Sequence, residues 1–394
     1  MIKTLKTFDL KNKTVLLRVD YNVPIENEKV ADDFRIRQTL PTIKHCLEAG
    51  AKLVISSHLG RPKGKKDSSL SLMPVGEALA DCLEMPIKFS SNCISEDAHD
   101  VTLGLKPGEI HMLENLRFHS EEIENDNDFS AKLAKHGDIF INDAFGTAHR
   151  SHASNVGVAK HFSRKGIGFL IENELNFLSK SLSKPARPLT LILGGAKIDT
   201  KINLIDHYIG MADKILIGGG MAFTLLKARG IDVGESIVDQ SKISAASKLI
   251  NKAKSKKNLF LPKDVVCSKS IEDGSKHNTY DVTEIPSDEM GLDIGPKTIE
   301  SFSKHIVDSK TVVWNGPMGV FESSFFDKGT KEIASRIASC TEKGLLSIMG
   351  GGDTASALRK FNLDNKMTHL STGGGASIEL LSGKNLPAIF ALEV

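Results

Sequence analysis

Cysteine is scarce and scattered. The five thiols (Cys46, Cys82, Cys93, Cys267 and Cys340) are odd in number and never form C-x-x-C, which argues against a disulfide framework and a cysteine-built zinc site. An excess of one charge is missing too. Lys and Arg number 51 against 49 Asp and Glu, net +2, a balance unlike that of a protein built mainly to bind nucleic acid. No uncharged apolar run approaches the roughly 18 residues of a membrane span. The opening stretch MIKTLKTFDLKNK alternates charge with apolar residues and lacks a signal-peptide core. No G-x-x-x-x-G-K-[ST] occurs, no convincing G-x-G-x-x-G, and no Ser-His-Asp or Cys-His motif. The expectation is a soluble, cytoplasmic enzyme in a reducing compartment, with no nucleic-acid or membrane partner. A monomer is the default, since no coiled coil appears.

The 394 residues exceed what one hydrophobic core holds, so two domains are expected. Short runs rich in Val, Ile and Leu recur at residues 14–19, 52–56, 109–113, 138–142, 189–193, 214–217, 311–314 and 345–349, separated by helical patterns. Such continuous runs suit strands buried on both faces of parallel sheets, so the chain reads as α/β with right-handed crossovers. Residues 33–48 read as an amphipathic helix, with Asp32 as N-cap, Pro41 as a kink and Gly50 closing it. Residues 169–182 read as a connecting helix, with the boundary near residues 185–188.

The two halves differ in the loops that leave their strands. In the first half, strands end in RVDYN, SSHLGRP, ENLRFH and NDAFGTAHRSH. Lysine outnumbers arginine 40 to 11, yet seven of the eleven arginines precede residue 165. Arg is favoured where a planar fork must grip carboxylate or phosphate. Arg35, Arg61, Arg117 and Arg150 with His58, Asp20 and Asn22 therefore suggest a pocket for a small, multiply anionic, hydroxylated molecule. In the second half, strands end in LILGGAK, ILIGGGMAF, VVWNGPMGVF, LLSIMGGGDT and THLSTGGGAS. Glycines there let backbone N–H groups approach phosphates, and helix N-termini add positive potential. Asp199, Glu322 and Asp353 are the nearby carboxylates, and Asp353 is placed to hold Mg²⁺ beside phosphates. Lys197 and Lys201 would share a face if a helix starts there. A nucleotide-phosphate cradle beside an anionic-substrate pocket suggests phosphoryl transfer, and an already ionised carboxylate acceptor would need no general base.

The motifs RVDYNVP (18–24), DDFRI (32–36), SHLGRP (57–62), LENLRFH (113–119), NDAFGTAHRSHAS (142–154), GGAKIDTKI (194–202), GGGMAFT (218–224), GLDIGPKT (291–298), WNGPMGVFE (314–322), GGGDTA (350–355) and STGGGAS (371–377) together resemble the phosphoglycerate kinase family over essentially the whole chain. The resemblance implies two Rossmann-like three-layer α/β/α domains with largely parallel sheets, separated by a cleft. Residues 1–168 would bind phosphoglycerate, 169–184 would form the interdomain helix, 185–376 would bind nucleotide, and 377–394 would pack back on the first domain. It implies reversible transfer of the acyl phosphate of 1,3-bisphosphoglycerate to MgADP, in line, after hinge closure. Asp20, Asn22, Arg35, His58, Leu59, Gly60, Arg61, Arg117 and Arg150 would surround the phosphoglycerate. Lys197, Lys201, Gly219, Gly220, Gly291, Leu292, Asn315, Glu322, Gly351, Gly352, Asp353 and Thr354 would hold ATP or ADP, with Asp353 on Mg²⁺. Arg35, Lys197, Lys201, Gly351 and Gly374 would act on the phosphoryl group itself. The one visible departure is Asp199-Thr200, where many members carry Asp at the second position. The alternatives are a non-catalytic nucleotide-binding scaffold, which should have lost some of Arg35, Lys201 or Asp353, and a dehydrogenase, which lacks its glycine fingerprint.

Overall fold

The computed structural model describes residues 2–393 except 200, 273 and 275, so Thr200 lies outside the described residues. Two compact units are formed, one from Met1–Asn176 with Asn385–Val394, the other from Phe177–Lys384. The second unit thus runs to Lys384, eight residues past the boundary expected at 376, because helix Gly374–Leu381 belongs to it.

The first unit carries strands β1 (Thr14–Arg18), β2 (Ile25–Glu26), β3 (Lys29–Val30), β4 (Lys52–Ser56), β5 (Lys88–Ser90), β6 (Ile110–Leu113), β7 (Ile139–Asn142) and β8 (Lys165–Ile167). Strands β2 and β3 form a small antiparallel hairpin. The other six build one parallel sheet in the order β5-β6-β4-β1-β7-β8. Every residue of β6 and β7 is buried, as strands covered on both faces require. One face packs Val15, Leu17, Leu53, Ile55 and Ile139 against Ile36, Ile43, Val75 and Leu79 from two helices. Helix Phe34–Glu48 runs through Pro41 without ending. It stops in a Schellman arrangement: Gly50 takes φ +74° and donates to Leu47 O at 2.9 Å, while Ala51 donates to Cys46 O at 3.0 Å.

The second unit carries β9 (Leu189–Leu193), β10 (Lys214–Ile217), β11 (Leu259–Phe260), β12 (Asp264–Ser268), β13 (His277–Asp281), β14 (Met290–Ile294), β15 (Thr311–Asn315), β16 (Leu346–Gly350) and β17 (His369–Leu370). Its main sheet is again parallel and six-stranded, in the order β11-β10-β9-β15-β16-β17. A separate antiparallel sheet, β13-β12-β14, was not anticipated from the sequence. Ile192, Leu216, Val312, Trp314 and Met349 from the main sheet join Ile294, Phe302, Ile306, Ile333 and Ile337 in one core.

In each unit the chain builds outward from one strand and then returns to that strand's other side. The first unit runs β1 to β4 one way and adds β7 and β8 on the other; the second runs β9 to β10 and β11, then adds β15 to β17. That reversal opens a crevice at the carboxyl ends of the strands. The stretch expected as one connecting helix begins as helix Phe169–Leu175 and widens into a π-type turn at Asn176–Lys180.

Candidate active site

In the first unit, the crevice is built from loops that leave β1, β4, β6 and β7. Asp20 and Asn22 follow β1, and His58, Leu59, Gly60 and Arg61 follow β4. Arg117 sits in the turn Leu116–Phe118 after β6, Arg150 lies beyond β7, and Arg35 is in the first turn of helix Phe34–Glu48. Hydrogen bonds tie these loops together. Arg35 Nη1 donates to Asp20 Oδ2 at 2.6 Å. The Gly60 N–H donates to Asn22 Oδ1 at 2.8 Å, and Arg117 Nη1 donates to the Gly60 carbonyl at 2.7 Å. Asn115 Nδ2 donates to the Leu59 carbonyl at 2.7 Å. Among the described residues, Arg61 makes no such bond with the others and is exposed.

Three buried groups in this cluster escaped the sequence reading. Arg18 closes β1 with no exposed surface, and Glu122 and Ser154 are buried beside it. Arg18 Nε donates to Ser154 Oγ at 3.0 Å, whose hydroxyl donates in turn to Glu122 Oε1 at 2.7 Å. Arg18 Nη2 stands 3.3 Å from His58 Nδ1. A guanidinium only donates, so that nitrogen accepts and the ring proton sits on Nε2. Burial, with Arg18, Arg117 and Arg150 nearby, pushes the His58 pKa well below its usual value and keeps the ring neutral. Burial would raise the Asp20 carboxyl, but Arg35, His58 and Arg18 outweigh it and hold the group down at about 2. Burial, with repulsion from Arg150 and Arg18, lowers the Arg117 pKa to about 10. Among the described residues its buried Nε has no hydrogen-bond partner. Crowded, partly desolvated guanidinium groups with an unused donor are the state that a bound anion relieves.

In the second unit, the glycine clusters converge on two adjoining cavities. One, of about 400 Å³, is lined by Lys197, Lys201, Asn315, Gly351, Gly352, Asp353, Thr354 and Gly374, with Gly195 and Gly316. The other, of about 190 Å³, is lined by Gly219, Gly220, Gly291, Leu292 and Glu322 between apolar side chains that include Ile237, Val320 and Phe321. Asp353, Gly195 and Ala196 border both. The expected lysine pair does not lie on a helix. Helix Ile202–Ile209 starts after Lys201, which serves as its N-cap residue. Lys197 is exposed, whereas Lys201 is buried and donates to the Gly194 carbonyl. Asp199 lines neither cavity.

Two glycines here are geometric necessities. Gly351 takes φ +97° as the N-cap of helix Gly352–Lys360, which aims that helix's first N–H groups at the larger cavity. A Cβ on Gly291, which lines the smaller one, would overlap the Phe223 ring. Thr354 Oγ1 accepts from the Gly316 N–H at 2.7 Å, locking β15's exit to that helix. The Asn315 Nδ2 beside them is buried without a partner among the described residues, a donor left for a ligand oxygen.

Two parallel α/β units define this molecule, one ending in clustered guanidinium groups, the other in a glycine-lined, lysine-flanked hollow beside an apolar slot. That combination is a phosphotransferase of the kinase class. A family model for phosphoglycerate kinase matches residues 5–384, and the chain belongs to the phosphoglycerate kinase family. It is 48% identical over 393 residues to a phosphoglycerate kinase of Prosthecochloris aestuarii, covering 99% of each chain. It is 47% identical over 391 residues to that of Thermosipho africanus, covering 99% of this chain and 97% of the other. Among solved structures, the Coxiella burnetii phosphoglycerate kinase superposes with a TM-score of 0.87 at 38% identity, with 100% of this chain and 99% of that one covered. The Pyrococcus horikoshii enzyme gives 0.87 at 30% identity, with 100% and 98% covered.

Proposed function

We propose that this chain performs its family's reaction, reversible transfer of the acyl phosphate of 1,3-bisphosphoglycerate to ADP, through the two clusters described above. The observation that carries the reading is that one chain holds both an arginine cluster with an unused buried donor and a phosphate-sized cradle with an apolar slot beside it. Asp20, Asn22, His58, Gly60, Arg61, Arg117 and Arg150 grip phosphoglycerate. The Nε2–H of His58 offers it a neutral donor. Gly219, Gly220, Gly291 and Leu292 enclose the base, Glu322 takes the ribose hydroxyls, and Gly351, Gly352 and Thr354 present N–H groups to the phosphates.

Direct transfer requires the two bound ligands to be brought into contact and water to be excluded. The acceptor carboxylate is already ionised at pH 7, so the work is positioning and charge neutralisation. Arg35, steadied by Asp20, covers the phosphoryl group in flight. Lys197, Lys201 and the N-terminus of helix Gly374–Leu381 share its negative charge. Asp353 fits Mg²⁺: its exposed carboxylate makes no hydrogen bond or ion pair among the described residues and stands where the cavities meet. Mg²⁺ takes one or two carboxylates and completes its shell with phosphate oxygens and water. When bound, it neutralises the phosphate chain.

The five free thiols support residence in a reducing compartment, and we assign a monomer, which light scattering tests. Among the described residues, no helix is long and apolar enough to cross a membrane. A coupled assay supplied with MgATP and 3-phosphoglycerate decides the main reading. Turnover supports it, and folded protein with no turnover points instead to a scaffold.

A further inference from the structure

Helix Gly352–Lys360 begins at the phosphate cradle, and its last residue reaches the opposite rim of the nucleotide site. Lys360 Nζ donates to the Phe321 carbonyl at 2.6 Å and to the Glu322 carbonyl at 3.4 Å, and it pairs with Asp327 Oδ2 at 3.1 Å. All three acceptors lie in a segment, residues 321–327, that has neither helix nor strand. Among the described residues, no backbone N–H reaches the carbonyls of Phe321 or Glu322. The Phe321 N–H donates to the Gly319 carbonyl at 2.9 Å, and the ammonium satisfies the two carbonyls of this stretch, at two residues that line the smaller cavity. The negative end of its own helix favours the charge at that place. Its side chain stays 37% exposed, so its task is local to the rim and not part of the core.

We propose that Lys360 is a positioning residue for nucleotide recognition. It holds the Phe321–Glu322 backbone so that the Glu322 carboxylate meets the ribose hydroxyls, linking the phosphate end of the site to the ribose end through one helix. The proposal rests on the reading of Glu322 as the ribose ligand. Lys360 touches neither reacting group, so its loss weakens binding of nucleotide without slowing the chemical step.

The test is steady-state kinetics of Lys360→Met, Lys360→Arg and Glu322→Gln, each checked for a native thermal transition, with ATP and with 2′,3′-dideoxy-ATP. The expected result for Lys360→Met is a rise of about five- to tenfold in KM for ATP, as for loss of charge-assisted hydrogen bonds at a partly exposed site. The kcat stays within about twofold, KM for 3-phosphoglycerate is unchanged, and the wild type's preference for ATP over the dideoxy nucleotide shrinks toward that of Glu322→Gln. Lys360→Arg recovers most of the loss, because a guanidinium can still donate to the carbonyls. An unchanged KM for ATP in Lys360→Met overturns the proposal. So does an equal rise for both nucleotides while the wild type distinguishes them. A wild type that does not distinguish the two nucleotides overturns the Glu322 reading itself, a result separable from the others.

Discussion

Nucleotide binding should take up a proton through Lys201. Its ammonium is buried, donates to the Gly194 carbonyl and has Asp353 as its charged neighbour. Burial lowers its pKa from 10.5, and with Asp353 offsetting part of that penalty it stands at about 8. A polyphosphate entering the cavity of about 400 Å³ places negative charge beside it. An anion beside it raises a cationic pKa by about 1–3 units, here to about 9–11, and a rise of about 1.5 units gives about 9.5. At pH 8.5 the free protein is then about one-quarter protonated at Lys201 and the complex about nine-tenths, so binding takes up about 0.7 proton. At pH 7 the uptake drops to about 0.1. Affinity for ADP accordingly weakens above pH 8, by up to about fivefold per pH unit near pH 8.5–9. The assay is titration calorimetry of ADP at both pH values, in buffers of different ionisation enthalpy. The slope against ionisation enthalpy reads the proton number directly. Lys201→Met should abolish the uptake at pH 8.5. A slope that is the same at both pH values, or that survives in Lys201→Met, refutes the reasoning. The sign for stability comes from the same shift. Between pH 8 and 10.5 the unfolded chain holds more protons at this lysine, so its burial penalty is full below pH 8 and fades as pH rises.

Three further outcomes rest on the geometry. Arg35→Ala should keep the fold and lower kcat by at least ~100-fold, about 2.7 kcal/mol of transition-state stabilisation; near-normal kcat removes Arg35 from the transfer step. Asp353→Asn should raise the Mg²⁺ concentration for half-maximal rate by about tenfold, and a chelator should silence the wild type; a metal dependence identical to wild type contradicts the assignment. Asp143, buried beneath the first unit's site, is held by the Thr42 hydroxyl at 2.6 Å and the Ile171 N–H at 3.0 Å, yet burial pushes its carboxyl up to about 7. Between pH 4 and 7 the folded state holds the extra proton, so this residue's contribution declines as pH rises. The melting-temperature difference, Asp143→Asn minus wild type, should climb across that window, and a flat difference would falsify the shift.

Where strands are buried on both faces, the sequence was transparent. LTLIL and KILI are strands as read, and the glycine-bearing loops after β9, β10, β15, β16 and β17 converge on adjoining cavities. Hidden charge was opaque. Glu122 lies among the polar residues EEIENDND, where nothing in the sequence marks one carboxylate for burial; only folding brings Ser154 and Arg18 to it. Arg18 carried one usable signal, an arginine inside an otherwise apolar strand. Sheet β13-β12-β14 was missed because β13 is largely exposed and carries no apolar periodicity. The shared face of the lysine pair was conditional on a helix starting there, and the helix begins only at Ile202, with the Lys201 N–H donating to the Ile198 carbonyl. Pro41 lies inside helix Phe34–Glu48 without ending it, as tertiary packing of Ile36 and Ile43 can outweigh a local propensity.

The central claim is that guanidinium groups of the first unit hold the three-carbon acid while the glycine-lined hollow of the second holds the nucleotide. Hydrogen exchange with each ligand alone tests it most directly. The account predicts that 3-phosphoglycerate slows exchange most in residues 19–23, 57–62, 114–119 and 145–152, and that MgADP does so in 194–201, 218–221, 315–322 and 350–355. Protection of the first set by MgADP, or of the second by 3-phosphoglycerate, as strong as by its assigned ligand would contradict it.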